Sequence, residues 1–92
     1  MKMLLIIYDI AEDRLRTKFS HFLSKYGRRI QFSVFEILNS NRVLGNIRVE
    51  IEADFQKKFQ QADSVMIIHV PDDAIVARYG YARNEETDLL IM

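Results

Sequence analysis

The 92-residue chain has no cysteine, one proline and three glycines. Without cysteine there is no disulfide and no thiolate metal site. The strong breakers are confined to Gly27, Gly45, Gly80 and Pro71, and no linker, repeat or low-complexity tract divides the chain. A single domain over residues 1–92 is expected, with the modest core that such a length can bury. The longest apolar run, Met3 to Tyr8, is far too short to span a bilayer. Met1-Lys2 leads into that run with no leader-like cleavage pattern, so a cytoplasmic protein without a membrane anchor is expected. Nucleophile elbow, phosphate-cradling glycine loop and zinc spacing are all missing, and His21 and His69 lack ligand-like spacing.

Net charge is also missing, but its distribution is uneven. Residues 1–48 hold nine Lys/Arg against four Asp/Glu, and residues 49–92 hold four against nine. Such asymmetry marks either a basic binding face or two surfaces that meet on one domain.

Met3 to Asp9 reads as a strand that is apolar on both sides, with Met3, Leu5 and Ile7 alternating against Leu4, Ile6 and Tyr8. Residues 11–26 switch to helical period, with Leu15, Phe19, Phe22, Leu23 and Tyr26 in one stripe ended by Gly27. Arg29 to Leu38 reads as one long strand whose apolar phase breaks between Val34 and Phe35, so that either both faces are covered there or a bulge shifts the register. Residues 42–62 fit a helix, because Ile47, Ile51, Phe55 and Phe59 recur every four residues. Ser64 to Val70 is a further strand. Beyond Pro71, residues 71–92 read as a hairpin return (Ala74 to Tyr79), a loop and a short tail strand (Asp88 to Met92). The order β-α-β-α-β, with that return and tail, gives an α+β sandwich of ferredoxin-like type. Both helices lie on one sheet face, and a second copy of the chain is expected to cover the other. The expected assembly is a homodimer packed through its sheet faces.

Asp9 ends the first strand on the side of Met3, Leu5 and Ile7, the side facing the expected dimer cleft. Two copies near a two-fold axis would repel unless a cation sat between them, and Mg²⁺ or Mn²⁺ suits carboxylate oxygens and water. The same residue opens Asp9-Ile10-Ala11-Glu12, which fits a capping box, and read alone the tetrapeptide favours the cap. Arg14, Lys18, His21 and Lys25 follow one helical face, Arg16 stands apart, and Arg28 and Arg29 come after the helix. Evenly spaced cations can track a phosphate backbone, or simply form a solvated face beside Glu12 and Asp13. Arg29, Gln31 and Ser33 share one side of the second strand and are candidate site-lining groups.

Taken together, Tyr8-Asp9-Ile10, the basic helix, Tyr26-Gly27, the run from Arg29 through Ser33-Val34-Phe35 to Glu36, and Asp63-Ser64-Val65 resemble the small CRISPR-associated proteins of the Cas-two family over residues 3–70. The resemblance implies a ferredoxin-like homodimer that acts in spacer acquisition. It implies partnership with the Cas-one integrase and contact with protospacer DNA. It also implies metal-dependent endonuclease activity on RNA or DNA. By motif position Asp9 matches the metal-binding, catalytic carboxylate. Tyr8, Arg16, Arg29, Ser33 and Phe35 match site-supporting residues, and Arg14, Arg16, Lys18, Lys25, Arg28 and Arg29 are the candidate nucleic-acid contacts. Met66 stands where many members carry arginine. Two alternatives share the fold: a non-catalytic dimeric scaffold that bridges integrase subunits, and a VapD-like RNA-cleaving toxin.

Overall fold

The apolar first strand forms the centre of the structure because both of its edges find partners. The computed structural model describes the backbone of residues 2–39, 41–77, 79 and 80, and the side chains of all of these but Lys2 and Asn39. Strand β1 (Lys2–Asp9) leads to helix α1 (Asp13–Leu23), then to β2 (Arg28–Gln31) and β3 (Val34–Asn39). Helix α2 (Asn41–Glu50) continues through a π turn (Ile51–Phe55) and a 3-10 turn (Gln56–Lys58) before β4 (Ser64–Val70). The sheet order is β2-β3-β1-β4, and every neighbouring pair is antiparallel. This is the ferredoxin-like β-α-β-β-α-β arrangement.

The expected long strand from Arg29 to Leu38 is corrected to a hairpin. The chain reverses at Phe32-Ser33, close to the slip in apolar phase, and the β2–β3 register shifts between Arg29 and Gln31. None of the described non-glycine residues has a positive φ, so the turn is not of the primed type that favours Asn-Gly. The register shift takes up the irregularity, and the Tyr8 N–H donates to the Ser33 carbonyl at 3.1 Å, tying the turn to β1.

The expected return strand from Ala74 to Tyr79 is also absent from the described residues. Asp72-Asp73 does turn, with the Ala74 N–H donating to Pro71 O at 3.1 Å, but residues 74–77 form no strand. Ile75 there is almost fully exposed, so the described residues offer it no packing surface. The expected tail strand from Asp88 to Met92 lies outside the described residues.

One sheet face carries the core. Leu4, Ile6 and Tyr8 on β1 align with Ile37 and Phe35 on β3 and with Ile67 and Val65 on β4. Leu15, Phe19, Phe22 and Leu23 from α1, and Ile47 and Phe55 from the second helical segment, pack against them. Phe19 and Phe55 meet edge to face at 5.0 Å, and Tyr8 meets Phe19 in the same way at 5.1 Å. Such pairs add about 0.5–1.5 kcal/mol beyond burial.

The second helical segment resolves the period-four stripe. A regular α-helix would drift by about 40° every four residues. The wider turn at Ile51–Phe55 offsets that drift and keeps Ile47 and Phe55 buried on one side.

Gly27 has a role other than ending the helix. The helix cap is Ser24, and a Cβ on Gly27 would lie 2.2 Å from Glu36 O and 2.6 Å from Ile37 Cγ1. The glycine lets the chain leaving α1 pass directly over β3.

Among the described residues, nothing covers the other sheet face. Met3, Leu5 and Ile7 are half-buried there, while Leu38 and Met66 are 59% and 57% exposed.

Candidate functional site

Asp9 closes β1 on this uncovered face, opposite Ser64 of β4, and is exposed. The capping box is overturned. Helix α1 begins at Asp13 behind Glu12, whose side chain makes no capping hydrogen bond. The entry loop is braced from far along the chain instead. Asp63 accepts the Ala11 N–H at 3.0 Å through one carboxylate oxygen and the Gln60 N–H at 2.8 Å through the other. These two backbone donors, Gln60 first, hold the Asp63 carboxyl below its ordinary range. Among the described residues, the Asp9 carboxylate takes no hydrogen bond or ion pair. It is therefore available for chemistry.

Arg16 is half-committed to the same loop. One guanidinium nitrogen donates to Ile10 O at 3.0 Å and Ala11 O at 3.2 Å, and the other pairs with Asp13. Sequence spacing set Arg16 apart from the basic row, and the fold does the same. Its neighbours on the helix-covered side are Tyr8, Thr17, Ser20, Arg29 and Phe32, which together line a cavity of about 120 Å³. The Arg29 guanidinium lies 5.5 Å from the Phe35 ring centroid, a cation–π distance. Burial pushes the Tyr8 phenol up, while Arg29, Arg16 and a Ser20 hydrogen bond act in the opposite direction. Tyr8 is thus a neutral hydroxyl at ordinary pH.

The fold brings together four of the sequence-nominated residues here: Tyr8, Arg16, Arg29 and Phe35. Ser33 joins them through its backbone carbonyl. Asp9 follows Tyr8 in sequence but lies on the opposite face of the sheet. Arg14, Lys18 and Lys25 are exposed, and Arg14 and Lys18 flank a shallow groove with Lys58. Arg28 belongs elsewhere. It pairs with Glu36 at 3.2 Å on the uncovered face, where Glu36 is only 8% exposed. Thr17, Ser20, Phe32 and Asp63 were not nominated from sequence. Ser20 follows Arg16 by four residues, a spacing that places it one helical turn away. Asp63 gave no signal of its bracing role because its partners are distant.

Among the described residues, no three His, Cys, Asp or Glu side chains cluster as metal ligands. Mg²⁺ can be held by one or two carboxylates with water completing its shell. The unpaired Asp9 carboxylate is a donor of the type such an ion takes, and one copy of it would supply one protein ligand. No helix among the described residues is long and apolar enough to cross a membrane.

The family model for CRISPR associated protein Cas2 matches residues 1–77. The CRISPR-associated endoribonuclease Cas2 1 of Synechocystis is 32% identical over 96% of this chain and 97% of its own length. The endoribonuclease Cas2 4 of Rhodospirillum rubrum is 42% identical, but over 58% of this chain and 43% of its own length. Two other relatives likewise match over only 48% and 63% of their lengths. Among solved structures, a hypothetical protein from Thermus thermophilus aligns with a TM-score of 0.76 at 28% identity, covering 90% of this chain and 95% of that one. A chain of a partial Cas6-RT-Cas1–Cas2 complex aligns with a TM-score of 0.67 at 28% identity, covering 79% and 82%.

Proposed function

The chain belongs to the CRISPR-associated Cas2 family, and on that premise we propose that it works as a homodimer in spacer acquisition and hydrolyses phosphodiester bonds in RNA or DNA with Mg²⁺ or Mn²⁺. The observation that carries this reading is the free Asp9 carboxylate at the rim of an uncovered apolar sheet face. Packing two such faces together would remove Leu38, Met66 and Ile68 from water and bring two Asp9 residues toward a common axis. Endoribonuclease and endonuclease names among the relatives support the reaction class. A Cas1–Cas2 complex among the structural neighbours supports a Cas-one integrase as the partner.

In this reading the paired Asp9 carboxylates would hold the ion, which when bound would supply charge neutralisation at the phosphate and activation of a water. Arg29, on the helix-covered side, would contact a phosphate other than the one at Asp9, and Arg16 keeps the loop behind Asp9 in place. Arg14, Lys18 and Lys25 give the duplex a long-range electrostatic track. The test is cleavage of RNA and duplex DNA across a metal titration by wild type, Asp9→Asn and Asp9→Ala. Loss of cleavage in both variants is expected, and cleavage equal to wild type would overturn the assignment.

A second reading, a non-catalytic scaffold, is favoured by one observation. Arg16 is bound to Ile10, Ala11 and Asp13, and so is a poor phosphate clamp. Under this reading Asp9→Asn preserves spacer acquisition, while reversing Arg14 and Lys18 to glutamate abolishes it. A CRISPR array and integrase gene nearby would separate both readings from a VapD-like toxin.

A further inference from the structure

Phe32 occupies the turn between β2 and β3 and is 82% exposed, at the mouth of the cavity lined by Tyr8, Arg16, Thr17, Ser20 and Arg29. Exposed apolar residues are ordinary when scattered, but this one adjoins two cations and three hydroxyls. The register shift between Arg29 and Gln31 sits immediately before it, and such irregularities commonly re-aim side chains beside sites. The cavity, about 120 Å³, has room for the oxygens of one phosphate and too little for a base with its sugar. Arg29 is its main available cation, since Asp13 and two carbonyls already engage Arg16. Thr17 adds a hydroxyl that can donate to an anion, while the Ser20 hydroxyl already donates to the Thr17 carbonyl at 3.2 Å.

We propose that this cavity and the Phe32 ring form a subsite for one unpaired nucleotide. The phosphate sits against Arg29, Tyr8 and Thr17, and the base stacks on Phe32. The ligand class is therefore single-stranded or frayed nucleic acid. A paired base has both faces occupied by its neighbours, whereas an unpaired one can use an aromatic ring. An apolar protein partner would gain from Phe32 but not from the cations and hydroxyls beside it. The subsite rests on the nucleic-acid reading above and lies on the sheet face opposite Asp9.

The test uses the full-length chain with Asp9→Asn, so that binding is read without cleavage. Anisotropy is measured with a labelled single strand, as RNA and as DNA, and with the matched duplex. Phe32→Leu should weaken single-strand binding about five-fold or more and leave duplex binding unchanged. Arg29→Gln should weaken single-strand binding as well. Unchanged single-strand binding in Phe32→Leu overturns the subsite. So does an equal loss on single strand and duplex, or a loss of self-association alone, which would make Phe32 a protein contact.

A second measurement needs no change at Phe32. 2-Aminopurine is placed at each position of the single strand in turn. A fluorescence change concentrated at one position supports the subsite, and a uniform response overturns it. Because binding is the readout, a chain that stacks single strands yet never cuts them sinks the nuclease reading and leaves the subsite intact.

Discussion

The two faces of this sheet use the same strands and similar side chains, yet they have opposite fates. On the covered face Leu4, Ile6, Phe35 and Ile37 are essentially inaccessible beneath two helical segments. On the other, Met3, Leu5 and Ile7 are half-buried by their own neighbours, and Leu38 and Met66 stand mostly in water. Buried apolar area stabilises by about 25 cal/mol per Å², so the first face holds the monomer together. The second contributes little to one chain and has apolar area left to bury against another. Polar groups are divided in the same way. The covered side gathers Tyr8, Ser20 and Arg29 at one edge, while the bare side presents Asp9 and the Arg28–Glu36 pair.

The comparison breaks first if the covered face proves dispensable. Phe19→Ala should lower monomer stability by about 3–5 kcal/mol in denaturant titration. Gly27→Ala, which forces a methyl against the β3 backbone, should cost about 1–3 kcal/mol, and a neutral result would mean the chain crosses β3 less closely than described. Asp63→Ala should reduce Tm at neutral pH by releasing the Ala11 and Gln60 N–H groups. The Asp63 carboxyl is lowered in the folded chain, so its contribution is present above its ordinary value of 3.8 and is lost as pH falls through the lower folded value. The Tm gap between wild type and Asp63→Ala should therefore narrow in acid, and a constant gap would point to packing instead.

The smallest effects on folding sharpen the contrast. Met66→Glu should change monomer stability by less than about 0.5 kcal/mol while abolishing self-association in sedimentation. Asp9→Asn should be equally neutral to unfolding in chelator, where a lost helix cap would have cost about 0.5–2 kcal/mol.

Much of this contrast was legible in the residues. The two-sided apolar pattern of β1 placed Asp9 on the uncovered face, and β4 was expected over the same span, Ser64 to Val70, that it occupies. The stripe on α1 named its buried residues. The hairpin was missed because Phe32-Ser33 carries none of the glycine, proline or asparagine that usually marks a turn. The capping box misled because a local tetrapeptide cannot show that Asp63, more than fifty positions away, takes over the bracing of the loop. The cavity was half visible. Tyr8, Arg16 and Arg29 were nominated by motif, but Phe32 looked like one more alternating strand residue until the chain was seen to reverse there.

The π turn at Ile51–Phe55 makes this part of the molecule behave like a screw thread with one extra notch. Removing a single residue there, Ala53 for example, would let the helix rewind to its usual pitch, and seven residues at about 100° each would leave Ile47 and Phe55 only about 20° apart on one side. Phe55 would then keep its place against Phe19 and Phe22, whereas an added residue would turn it about 100° away from them. The segment should therefore accept loss of one residue, and substitutions at exposed positions such as Glu52 and Asp54, far better than an insertion.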